Sequence, residues 1–197
     1  MSLNFPLELI RASSGGDGPL SPTSLYDSDN NVLVSLGGDI PANWNDYDTP
    51  YNADRVEIGT SCTSIGSMAF YFCTGFTGSL VIPDSVTFIG DNSFLFSSFN
   101  GSLTIGNGVT TIDQNAFFGS EFTGSLTIGN SITTIEGAAF AGCSSITSVS
   151  ILATTAPTIN GGVFAGMGGV SPAVIHVPVG ATGYAASYDG LTVVYDL

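Results

Sequence analysis

The stretch EFTGSLTIGNSITTIEGAAF, residues 121–140, is nearly the same line as SFNGSLTIGNGVTTIDQNAF at 98–117, and GFTGSLVIPDSVTFIGDNSF at 75–94 gives it once more. The first two share thirteen of twenty letters. Aligned on its final Phe, the line recurs at Phe70, Phe94, Phe117, Phe140 and Phe164, with spacings of 24, 23, 23 and 24 residues. Five residues before each Phe stands an Ile: Ile65, Ile89, Ile112, Ile135 and Ile159. Farther upstream, VEI (56–58), LVI (80–82), LTI (103–105), LTI (126–128) and VSI (149–151) place apolar residues at alternating positions. That alternation predicts a short strand with one buried face. VTTI or ITTI supplies a second extended stretch, and GDNSFLF, DQNAFFG or EGAAFAGC a turn that buries its Phe.

A unit of this length cannot bury its apolar face alone, so the period predicts a solenoid of about five stacked units of 23–24 residues. Equivalent residues then form columns: Leu80, Leu103, Leu126 and Val149 in one, the Ile and Phe series in others. Phe76, Phe99 and Phe122 make a further aromatic column, each just ahead of a Gly-Ser turn. With one strand spacing per unit, about 4.8 Å, five units give an arc of roughly 25 Å.

The run SLVIPDSVTFIGDNSF, GSLTIGNGVTTIDQNAF and SLTIGNSITTIEGAAFAGCSSITSVSI resembles the BspA-type leucine-rich repeat, with its hydrophobic-x-Ile-Pro, Val-x-x-Ile-Gly and Ala-Phe-x-x-Cys elements. The closing VIHVPVGATGYAASYDGLTVV resembles the end of such arrays, so the likeness covers about residues 56–197. Gly106 and Gly129 replace the Pro represented by Pro83, and the Cys is missing after Phe94 and Phe117. The resemblance implies a fold of short strands and turns, and attachment to a protein or glycan.

Sixteen Asp and Glu stand against two Arg, Arg11 and Arg55, with no Lys, for a net charge of −14. Nucleic acid is excluded as a partner, because phosphate contacts are made by Lys and Arg. An anionic membrane surface is disfavoured for the same reason. No apolar run reaches the ~18 residues needed to span a bilayer, so no membrane insertion is expected. The first sixteen residues, MSLNFPLELIRASSGG, do not read as a secretory signal. An extracellular or virion-surface position would then rest on a removed signal or on release by lysis. The opening MSLNFP resembles the starts of structural proteins of marine bacteriophages.

Residues 1–55 do not repeat and form the expected first unit, a β-rich cap or attachment arm; residues 56–197 form the solenoid with its C-terminal cap. SLYDSDNNVLVSLGG (24–38) predicts a β-hairpin. Trp44, Tyr47 and Tyr51 are expected to cover the first repeat. Asp27, Asp29 and Asn31 have the opening spacing of a calcium loop, but Val32 holds the place of its Gly and Gly38 that of its Glu, so a plain turn is expected. Asn100-Gly-Ser has the form of a glycosylation sequon, for which its place in the repeated turn is a sufficient reading. Three Cys and one His offer no zinc or disulfide framework. Cys73 and Cys143 lie three units apart, roughly 14 Å at strand spacing, beyond disulfide reach.

Alternation points Glu57, Val81, Thr104, Thr127, Ser150 and His176 away from the core as a surface ladder, and with Phe88 they form the candidate interaction surface. No catalytic residue, metal ligand or cofactor is assigned. The expected function is a non-enzymatic structural or binding module on a particle surface, a phage virion decoration or tail-associated protein attached through its N-terminal segment. The alternative is an adhesin binding a host-surface protein or glycan through the repeat face. Either would take a protein partner, and a homo-oligomer stays open.

Overall fold

The computed structural model describes residues 23–26, 32–36, 38–44, 54–169 and 173–197. Asp27, Asp29, Asn31, Tyr47, Tyr51 and the opening MSLNFP lie outside them. Strands β1 (Thr23–Tyr26) and β2 (Val32–Leu36) form the expected antiparallel hairpin, and β3 (Arg55–Glu57) adds to the other edge of β1. The chain then coils. Two-residue strands alternate with longer ones: β4 (Ser64–Ile65), β5 (Leu80–Ile82), β6 (Phe88–Ile89), β7 (Leu103–Ile105), β8 (Thr111–Ile112), β9 (Gly124–Ile128), β10 (Thr134–Ile135), β11 (Ile146–Ile151), β12 (Thr158–Ile159) and β13 (Val174–Val177). A closing pair follows, β14 (Ser187–Tyr188) and β15 (Leu191–Tyr195).

Each class of strand stacks on its own kind. The short strands form one parallel sheet, β4-β6-β8-β10-β12; the longer ones form another, β5-β7-β9-β11-β13-β15, with β14 antiparallel at its end. Leu80, Leu103, Leu126 and Val149 stand in register, as the 23-residue period requires. The fold is therefore a repeat solenoid of about five coils.

The segment after each short strand makes a third side, built from overlapping turns. Its amides still reach the next coil: Phe94 N–H donates to Ala116 O (2.7 Å), Phe117 to Ala139 O (2.8 Å) and Phe140 to Val163 O (2.9 Å). To aim alternate amides along the stack, two residues per coil turn left-handed, at Asn92 and Phe96 (φ 53° and 52°), Asn115 and Gly119 (53° and 64°), and Ala138 and Gly142 (57° and 76°).

Inside, the five Phe of the main column are fully buried, and successive rings stack at 4.8, 4.9, 5.2 and 6.0 Å between centroids. Phe76, Phe99 and Phe122 form a second stack at 5.3 and 5.6 Å, meeting the first edge-on. The positions without Cys are explained by Ser97 and Ser120. Ser120 Oγ donates to Phe94 O (2.7 Å) as Cys143 Sγ does to Phe117 O (3.1 Å), so either side chain serves the same buried carbonyl. All three cysteines are free thiols.

A stack leaves unpaired ladder groups at both ends, and acidic side chains answer them. Thr87, Thr110 and Thr133 each donate backbone N–H and Oγ1 to the Thr carbonyl one coil earlier. Thr63 meets a carboxylate in place of that carbonyl: Asp39 Oδ1, next to the Ile40 that bridges Ile65 in parallel, takes both its donors at 2.7 and 2.8 Å, together with Ser64 N–H at 2.8 Å. At the far end Phe164 N–H finds Asp189 Oδ2 (2.8 Å) where the next coil's carbonyl would be. Trp44, 1 % exposed, closes the Phe column edge-on against Phe70 at 5.3 Å, which confirms it as the lid on the first coil. Tyr184 covers the last coil, its hydroxyl bonded to Ala153 O (2.9 Å) and its pKa pushed up to about 12 by burial, helped by Tyr188 and Tyr195.

Two predictions follow from these contacts. Ser93 is fully buried with an unbonded hydroxyl, in a register otherwise held by Ala69, Ala116, Ala139 and Val163. Ser93→Ala should stabilise the protein by about 1 kcal/mol in urea denaturation, since a buried unsatisfied hydroxyl costs about that much or more. For Asp39, burial raises the carboxyl pKa, but the bonds from Thr63 and Ser64 outweigh it and hold the value below the ordinary range. A lowered acid adds stability at pH above its unfolded value, about 3.9, and loses it as pH falls through the lower folded value. Protection factors of the Thr63 and Ser64 amides should fall in that acid window, and Asp39→Asn should abolish the step.

Candidate functional site

The long sheet presents the predicted ladder. Val81, Thr104, Thr127, Ser150 and His176 are consecutive partners across β5, β7, β9, β11 and β13, and the row continues to Val194 on β15. Val81 is well exposed, while Thr104, Thr127, Ser150 and His176 are half-buried by their neighbours. Glu57 has no strand pairing with this row, although β3 lies beside β5: β3 pairs with β1, Glu57 opposite Ser24, and its carboxylate holds Arg55. Phe88 lies on the short sheet, in register with Ser64 and Thr111, so it belongs to a different side of the coil.

His176 Nδ1 contacts both carboxylate oxygens of Asp196, at 2.9 and 3.0 Å. Ser150 is its neighbour in the next strand, which places Ser, His and Asp side by side. No hydrogen bond joins the Ser150 hydroxyl to the imidazole, however, so the nucleophile–base contact that defines such a triad is missing. Two of the thiols are no better suited. Burial pushes Cys143 up to about 12, and raises Cys62 as well, the direction that suppresses thiolate. Among the described residues no three His, Cys, Asp or Glu gather to hold a metal.

The third side carries a feature that the period does not predict. Its outward positions are Tyr71 and Phe72 in the first coil, Leu95 and Phe96 in the second, and Phe118 and Gly119 in the third. In the next two coils they become Ala141 and Gly142, then Ala165 and Gly166. Phe72 is 51 % exposed, Phe96 41 % and Met68 38 %. Ring centroids run in a chain, Tyr71 to Phe72 at 4.7 Å, Phe72 to Phe96 at 5.1 Å and Phe96 to Phe118 at 5.5 Å. Phe96 also fills the space a side chain at 119 would need: a Cβ there would run into its Cε1 and Cδ1. Met68, Phe72 and Phe96 all sit left-handed, at φ 57°, 53° and 52°. For a bulky residue that backbone costs about 1–2 kcal/mol, and later coils of this side avoid it with Gly at the equivalents of Phe72 and Phe96. The signal was in the sequence, in YFCTGF and LFSSF set against AGCSS, where the repeat loses its small residues.

The BspA type leucine rich repeat model matches residues 47–171 in six copies. The chain belongs to the BspA-type leucine-rich repeat family. Six copies exceed the five units counted from the Phe column, and the match begins ahead of the first VEI strand. Comparison with curated proteins gives no match. Leucine-rich repeats of this family serve in general as protein-binding scaffolds. In this BspA-type chain the repeat supplies a rigid frame, and departures from the repeat supply its individual surface.

Proposed function

We propose that the chain is a non-enzymatic protein-binding module, and that its partner contacts the aromatic strip of the third side. The observation behind this is the placement of Phe72 and Phe96, exposed and on left-handed backbone, where later coils use Gly. Strain held in a surface side chain that leaves the core unchanged points to a role in contact. The setting proposed is the surface of a particle, as a virion decoration or tail-associated protein with the N-terminal segment as attachment. The acidic surface and the MSLNFP opening suit that setting. A second reading, an adhesin gripping a host protein or glycan through the long sheet, is favoured by the unbroken row from Val81 to His176.

Two double variants separate these readings by retention of the partner protein on the chain or of the chain on the target cell. Phe72→Gly with Phe96→Gly keeps the backbone of coils 3 to 5, so folding stability should change by no more than about 1 kcal/mol. It should release the protein from its partner. Thr104→Arg with Thr127→Arg should leave retention intact. The reverse pattern would favour the adhesin reading, and full retention of both variants would overturn both.

A further inference from the structure

We infer that the strip from Met68 to Phe118 is a docking site for a partner-protein segment that combines apolar side chains with Arg or Lys. The inference rests on the binding-module reading above and adds the chemistry of the occupant. Three observations converge on it. Along the strip several large apolar side chains adjoin at the surface, with Met68, Phe72 and Phe96 all more than a third exposed. Adjoining exposed aromatics of this kind are the usual anchors of protein contacts.

Both borders of the strip are acidic. Met68 N–H donates to Asp91 O (2.9 Å), which sets Asp91 beside the Met68 end. Asp113 stands close enough to Asp91 for its charge, after burial, to raise the Asp91 carboxyl pKa. At the other end Glu121 N–H bonds Ser97 O (3.2 Å), one residue beyond Phe96, and Glu121 is exposed. The strip thus lies between Asp91 with Asp113 on one side and Glu121 on the other. Among the described residues the one Lys or Arg is Arg55, which Glu57 holds, so no described residue on this side supplies a balancing cation.

A cation arriving on a partner would meet aromatic faces and carboxylates together, a pairing that strengthens as water is excluded. A second copy of this chain is a poor occupant, because it would bring another net charge of −14 to an acidic rim. A neutral glycan could stack on the rings but would leave the mutual repulsion of Asp91 and Asp113 unrelieved.

The test is amide NMR on the full-length protein with three probes: an octapeptide alternating Arg and Trp, its twin with Glu for Arg, and maltohexaose. The Arg peptide should perturb Met68, Tyr71, Phe72, Phe96 and Gly119 saturably. Affinity should weaken about tenfold or more in Phe72→Gly/Phe96→Gly, the loss of a typical anchor. It should also weaken with added salt and in Asp91→Asn/Glu121→Gln, while the Glu twin and maltohexaose leave the strip unmoved. Equal binding of the Glu twin, binding of maltohexaose at the strip, Arg-peptide shifts confined to Thr104, Thr127 and Ser150, or no shift at all would each overturn the inference. So would concentration-dependent self-association that the Phe variants abolish. If the peptide fails while the Phe variants still lose their native partner, the docking chemistry falls and the binding-module reading stands.

Discussion

Almost everything in this molecule depends on one constraint: each coil's backbone donors must find the carbonyls of the adjacent coil. Two sides meet it with parallel strands, and the third meets it with turns that alternate handedness. Because all three sides advance by the same strand spacing, side chains at one register are forced into contact with their copies. Flat rings suit that geometry, and the Phe columns stack nearly parallel, within 10° in the main one. The same constraint makes the ends costly. The Asp39 and Asp189 carboxylates take amides that elsewhere in the stack bond a carbonyl of the adjacent coil, so part of the chain's acidity has a structural use rather than a solvating one.

The repeat also explains which differences are tolerated. Ser for Cys beneath the Phe column preserves the bond to the buried carbonyl, and Gly for Pro at 106 and 129 suits a corner where backbone passes close to backbone. At Gly129 a Cβ would collide with Gly106 O and Asn107 Cα. Ser93 is different in kind, since its hydroxyl has no bond where neighbouring coils use Ala or Val. The exposed Phe72 and Phe96 are different again: they leave the core unchanged and strain the backbone, which is why they carry the functional reading.

Much of the fold was legible in the sequence because burial there is periodic. Ile89, Ile112 and Ile135, and the two Phe series, stand in the columns that a 23-residue period predicts. The hairpin and the Trp44 lid were equally open to reading, as turn chemistry and as a large apolar residue next to an uncovered end. The third side's ladder was not, because alternating handedness leaves no two-residue or helical period. Glu57 belongs to the ladder by register, yet β3 pairs with β1 of the hairpin, and a local register cannot reveal a partner that lies outside the repeat. Phe88 looked like part of one surface because sequence alignment does not show which side of a coil a position occupies. The aromatic strip escaped for the opposite reason: a search for what repeats passes over what stops repeating.

Hydrogen exchange of the third side tests the central constraint most directly. If all three sides carry the stack, the amides of Phe94, Phe117 and Phe140, which lie in turns, should be as strongly protected as those of β7 and β9. Fast exchange at these Phe amides alongside slow exchange in the two sheets would contradict it. The third side would then be a set of ordinary loops, and the strained placement of Phe72 and Phe96 would lose its meaning.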